Sequence, residues 1–243
     1  MKRAALALPL LTVLSLTTLT ACGGGDGDGG SDAKTTAGPT ATASQAKPAV
    51  DPVKELTKLF VTKAEVADYN VEEPAKGDAM AETQEDMRVD KPACAPLAYA
   101  TNYLPLGDPE ASVVRVASDG TFAYNYITLA TYADGKAEAA MKGLAEAVSS
   151  CTAGYTAKSG KASTPYTSVK KETPFSDAAA DESIATASAV NYKGTQTMRT
   201  QTFRFGDTIV NYFSIDSGGF MQGRSGSAEV PADLVKAQNK KLS

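Results

Sequence analysis

The alternation of apolar and polar positions divides the chain into three unequal parts. Positions 4–19 are mostly apolar, positions 23–50 contain no aromatic residue, and positions 51–243 carry the mixed periodicities of a folded domain. In the last part Ala137, Ala140, Met141, Leu144, Ala147, Val148 and Cys151 recur at spacings of three and four. This predicts a helix from a cap at Asp134 to about Ser150, with Cys151 on its buried stripe. Pro96 suits the first turn of a shorter helix through about Tyr103, with Leu97, Ala100 and Leu104 on one side and Cys94 at its entrance. Thr62-Lys63-Ala64-Glu65 reads as a capping box for another short helix before Tyr69 and Val71. Pro231 opens a terminal helix containing Leu234, Val235 and Leu242.

The remaining segments have strand periodicity. Ser112 to Ala117 and Thr121 to Tyr132 flank Asp119-Gly120, a strong hairpin signal, and should pair antiparallel. The second is apolar on both faces, with Phe122, Tyr124 and Tyr126 on one and Ala123, Ile127 and Leu129 on the other, as expected inside a sheet. Thr164 to Lys171, Ser183 to Tyr192, Thr195 to Phe205 and Thr208 to Asp216 follow, the last three joined through Lys193-Gly194 and Gly206-Asp207 as a meander. The predicted architecture is α+β: an antiparallel sheet of about six or seven strands with helices packed on one side.

Composition changes the picture at the N-terminus. Lys2 and Arg3 precede the apolar run, which closes on Leu19-Thr20-Ala21-Cys22. A charged start, a short apolar stretch and small residues at the cleavage point describe an export signal over residues 1–21. The last four residues resemble the bacterial lipobox, so Cys22 is the expected lipid anchor, acylated by palmitate-type chains on the extracytoplasmic face of the cell membrane. Each buried methylene contributes about 0.8 kcal/mol and one chain holds only marginally, so stable attachment needs two or three. Residues 22–50, rich in Gly, Ser, Thr, Ala and Pro, read as a disordered tether spanning roughly 30 Å as a coil. Asp26 to Asp32 resembles a calcium loop, but the twelfth position from Asp26 is Ala37 rather than a bidentate Glu. Residues 51–243 are long enough for one extracytoplasmic domain with its own core.

Charge and cysteine usage then exclude several functions. Without Lys2 and Arg3 the chain keeps 22 basic against 28 acidic residues, and eleven acids against five bases fall within residues 51–90. No basic face for nucleic acid is expected; the acidic stretch reads as a solvated face or a surface for a cationic partner. Cys22 taken by lipid leaves Cys94 and Cys151, which outside the cytoplasm are expected to form a structural disulfide. With no histidine in the chain, a zinc site is not expected and no Ser-His-Asp triad is available.

Candidate chemistry is correspondingly thin. Ser168-Val169-Lys170-Lys171 matches S-x-x-K, as do Ser31 with Lys34 and Ser44 with Lys47 in the tether, but the companion Ser-Asp-Asn and Lys-Thr-Gly motifs are missing. Asp177, Asp181 and Glu182 lie in an Ala-rich connection and read as solvated. No cofactor motif is present. Two binding features stand out. Tyr124, Tyr126 and Tyr212 are candidates to line an aromatic cleft or to fill the core. Ser217 to Gly226 is a Gly-rich run whose Arg224 and backbone amides are candidates to receive an anionic group.

The order of elements, with Pro92-Ala93-Cys94-Ala95-Pro96 opening one helix and Cys151 closing the long one, resembles the extracellular sensor domain of PknH-type receptor kinases of actinobacteria, a domain also found in free lipoproteins. The resemblance implies a Cys94–Cys151 bridge and a cleft beside the sheet for an unidentified ligand; that family's second disulfide has no cysteines here. The expectation is a membrane-anchored, non-enzymatic sensor or ligand-binding domain whose partner is a small molecule or an envelope protein. The alternatives are an envelope structural or interaction module, or a lipid carrier. A deep apolar cavity favours the carrier, a polar cleft the sensor, and a filled core the interaction module.

Overall fold

The computed structural model describes residues 51–243. The export signal, Cys22 and the tether lie outside the described residues. Asp51 caps α1 (Pro52–Lys58), accepting the backbone N–H groups of Val53 and Lys54 at 3.0 and 3.4 Å, while Pro52 occupies the first turn. After β1 (Asn70–Glu72) and β2 (Arg88–Val89), a 3-10 turn over Pro92–Cys94 leads into α2 (Ala95–Ala100). The hairpin of β3 (Ala111–Ser118) and β4 (Ala123–Thr131) precedes the long α3 (Lys136–Ser150). Four strands follow β5 (Tyr155–Ser159) in turn: β6 (Ala162–Glu172), β7 (Glu182–Asn191), β8 (Thr195–Phe205) and β9 (Thr208–Asp216). The chain ends with α4 (Ser217–Gln222), β10 (Gly226–Ser227) and α5 (Ala232–Asn239).

Nine strands form one antiparallel path in the order β1-β3-β4-β9-β8-β7-β6-β5-β2. The join between the early hairpin and the late meander is β4 against β9, in register from Ala123↔Asp216 to Thr131↔Thr208. Where β9 leaves the sheet into α4, β10 takes its place beside β8 in the parallel sense, at Gln196 and Thr197. The ten strands exceed the six or seven expected. The additional ones, β1, β2, β5 and β10, are two to five residues long, too short for alternation to register.

Helices cover both faces of the sheet, correcting the one-sided expectation. On the first face α2 and α3 bury Leu97, Met141 and Leu144 over Tyr126, Ile209, Phe213 and Val169. On the second, α1 and α5 bury Leu56, Leu234 and Val235 over Val113, Leu129, Phe203 and Tyr212. The cause is visible in the central strands, which carry large apolar side chains at consecutive positions, Tyr126-Ile127 and Tyr212-Phe213, so neither face can be left to water. Cys94 and Cys151 are disulfide-bonded with their Cα atoms 5.9 Å apart, joining the entrance of α2 to the C-cap of α3.

Three local readings are corrected. Gly135, at φ +73°, rather than Asp134 is the N-cap of α3, and no side chain caps it. Thr62 to Glu65 makes only half a capping box: the Thr62 N–H donates to Glu65 Oε2 at 2.7 Å, but a turn and not a helix follows. The terminal helix stops at Asn239, so Leu242 packs from the turn beyond it.

Candidate functional site

The helices on the first face cover it incompletely. Where α2 ends, a cavity of about 1150 Å³ opens between the sheet, the segment Glu72 to Met80, and the start of α4. Its floor is the β4 and β9 pair, with Tyr124 and Tyr126 beside Phe213 and Ile215; β8 adds Met198 and β6 adds Thr164 and Tyr166.

Polar side chains within the sheet hold the end of α2 in place above this floor. Asn211 Nδ2 donates to the Ala100 carbonyl at 2.9 Å, and Thr128 Oγ1 donates to the Tyr103 carbonyl at 3.1 Å. Asn211 in turn accepts from Thr202 Oγ1 at 2.8 Å, so the anchor is itself fixed. Thr101 Oγ1 shares a 2.9 Å hydrogen bond with the Tyr166 hydroxyl, and Asn102 Nδ2 reaches the same oxygen at 3.3 Å. Buried hydrogen bonds of this kind fix position more than they add net stability, each contributing about 1 kcal/mol.

Tyr103 is the outcome of that anchoring. Its φ is +45°, a left-handed conformation that costs a non-glycine residue about 1 kcal/mol or more and persists only when surroundings impose it. The ring lies on Tyr126 with centroids 4.1 Å apart and planes 10° from parallel, and Phe213 extends the wall 5.9 Å from Tyr126. The Tyr103 hydroxyl is buried without a hydrogen-bond partner. Burial pushes its pKa up, and burial together with the Asp78 carboxylate and Tyr124 pushes Tyr126 to about 12, so both rings stay neutral phenols at physiological pH.

The rim is acidic. Glu72, Glu73 and Asp78 line the cavity, and none of its described lining residues is Lys or Arg. Glu73 is paired with Arg115 at 3.2 Å, whereas Glu72 accepts from Asn70 and Asp78 from the Ala75 N–H, both neutral donors at 3.1 Å. Part of the acidic stretch read from the sequence is thus the border of a cavity. Among the described residues no group of three or more His, Cys, Asp or Glu stands together in a form that could hold a metal.

Of the four side chains singled out by sequence, the structure brings Tyr124 and Tyr126 together and separates the others. Tyr212 pairs with Ile127 and therefore faces the second core, where it is fully buried, edge-on to Phe203, with its hydroxyl 2.6 Å from Asn239 Oδ1. Its neighbour Phe213, opposite Tyr126, occupies the place expected of it. Arg224 lies beyond α4, paired with Asp216 at 3.5 Å and outside this cavity. The Gly-rich run is no anion cradle either. It folds into α4 and β10, and the Gly219 N–H already donates to the Asp216 carboxylate at 2.9 Å. Tyr103, Tyr166, Phe213 and Asp78 were missed. The pattern places Tyr103 merely at a helix end, and nothing local distinguishes Asp78 from its acidic neighbours.

No protein-family model matches the chain, and no curated protein matches it. Among solved structures, the extracellular domain of PknH from Mycobacterium tuberculosis aligns with 81% of this chain and 96% of its own, at 8% identity and a TM-score of 0.49. The Rv0999 ortholog of Mycobacterium smegmatis aligns with 78% of this chain and 94% of its own, at 10% identity and a TM-score of 0.35. Both are distant likenesses, and the site rests on its own geometry.

Proposed function

We propose that this protein is a non-enzymatic ligand-binding domain of sensor type, held at the extracytoplasmic face of the cell membrane by a lipidated Cys22. The observation that carries the reading is the cavity above the Tyr126–Phe213 floor, bordered by Tyr103. Its volume is that of a small-molecule site, and its aromatic floor on β4 and β9 lies between carboxylates at the β1 end and the hydroxyls of β6. This mixed wall favours a small-molecule ligand over the apolar chains of a lipid carrier. The lining hydroxyls of Ser163, Thr164 and Ser217 have no Lys or His beside them among the described lining residues, which supports binding rather than nucleophilic chemistry. The disulfide and the lipobox-like residues agree with an oxidising location.

A second reading, an envelope interaction module, draws on Phe122, Tyr192 and Met221, which are about half or more exposed at and beside α4. One experiment separates the two. The full chain carrying Cys22→Ala, exported by an actinobacterial host, is weighed by native and by denaturing mass spectrometry beside the same chain with Thr164→Trp, which places a bulky ring among the cavity's lining residues. A non-covalent adduct on the first and not on the second, with both folded, is the expected result. Two bare chains would move the assignment to the interaction module.

A further inference from the structure

The cavity has a marked chemical asymmetry. Glu73 is neutralised by Arg115, but Glu72 and Asp78 face it without a basic partner, and no lining cation balances them. The sheet floor beside these carboxylates is electron-rich: Glu72, Val116, Tyr126 and Phe213 stand in one row across β1, β3, β4 and β9, Tyr103 stacks on Tyr126 at 4.1 Å, and Tyr124 stands next along β4. The faces of such rings attract positive charge, and more strongly where water is displaced. An anion here would meet carboxylates of its own sign with no base to receive it.

We infer that the cavity takes an organic cation, a quaternary ammonium or protonated amine joined to an apolar body, with its charge toward Asp78 and Glu72 and its body against the tyrosine wall. This rests on the ligand-binding reading above and narrows it to a chemical class. One further observation supports it. Burial first, with the Asp78 carboxylate among the charges that follow it, raises the pKa of both Tyr103 and Tyr126, so the field of Asp78 reaches the rings against which the apolar body would lie.

The test uses three probes of similar shape: benzyltrimethylammonium, benzyl alcohol and benzenesulfonate. Each is titrated into the exported full chain carrying Cys22→Ala. The chain contains ten tyrosines and no tryptophan, so its fluorescence reports tyrosine alone. The cation is expected to saturate and to bind about tenfold more tightly than the alcohol or the sulfonate. Asp78→Asn should remove most of that preference and leave the alcohol unchanged, a ratio that a merely structural effect would not move. If the alcohol or the sulfonate binds as tightly as the cation, the inferred class is wrong while the cavity remains a binding site. If none of the three saturates, the inference also falls, and the adduct measurement above decides the ligand-binding reading independently.

Discussion

Gly154 and Gly120 both have positive φ, +82° and +85°, yet their surroundings give them different weight. A Cβ on Gly154 would sit 2.0 Å from the Tyr166 carbonyl oxygen, whereas one on Gly120 would meet nothing within 4 Å. Gly154→Ala should therefore cost about 3 kcal/mol or more, since backbone must separate, and Gly120→Ala about 1 kcal/mol for the conformation alone. Chemical denaturation of the two variants checks this, and equal losses would refute the close approach of Gly154 to β6. Glu65 gives a pH prediction. The Thr62 N–H, then Lys241 and the Thr62 hydroxyl, hold its pKa at about 2, against an ordinary 4.5. Its ionised form thus stabilises the fold fully above pH 4.5, and that contribution disappears as pH falls to about 2. Glu65→Gln should flatten the acid limb of Tm against pH in this window; an unchanged limb would remove Glu65 from the account. At this scale the sequence points to Tyr124 and Tyr126 but not to the choice between Tyr212 and Phe213. That choice is made by the β4–β9 register, which no local pattern encodes.

Elements were legible in proportion to their length and periodicity. The helix closing on Cys151, the β3–β4 hairpin and the β7–β8–β9 meander all stand near their expected positions. Shorter elements were hidden for different reasons. β10 exists only because β9 departs from β8, and α4 forms from a Gly-rich segment because Asp216 caps it. The disulfide belongs to this scale, since it joins α2 to α3 across 57 positions. Loop-closure entropy suggests about 4 kcal/mol for such a link. The Cys94→Ser, Cys151→Ser double variant should lose stability of that order in denaturant titration. An unchanged midpoint would mean the two helices are held without the bridge.

For the whole molecule, the sheet is the partition between two cores, and the cavity occurs where the first is left unfilled. The sequence signals both the sheet and its double-sided apolar strands. It does not signal the cavity, because an absence of packing depends on where α2 stops and where the segment Glu72 to Met80 crosses, not on any periodicity. The N-terminal region makes its own prediction at this scale: Cys22→Ala should release the chain from membranes into the soluble fraction without lowering its Tm, and persistent membrane association would end the lipid-anchor proposal. The most direct test of the central claim is tyrosine-ring NMR of the exported chain before and after ligand is stripped by unfolding and refolding. The account predicts that the Tyr103 and Tyr126 resonances shift on stripping while that of Tyr212, sealed in the second core, does not. Unchanged Tyr103 and Tyr126 resonances, or a change confined to Tyr212, would contradict it.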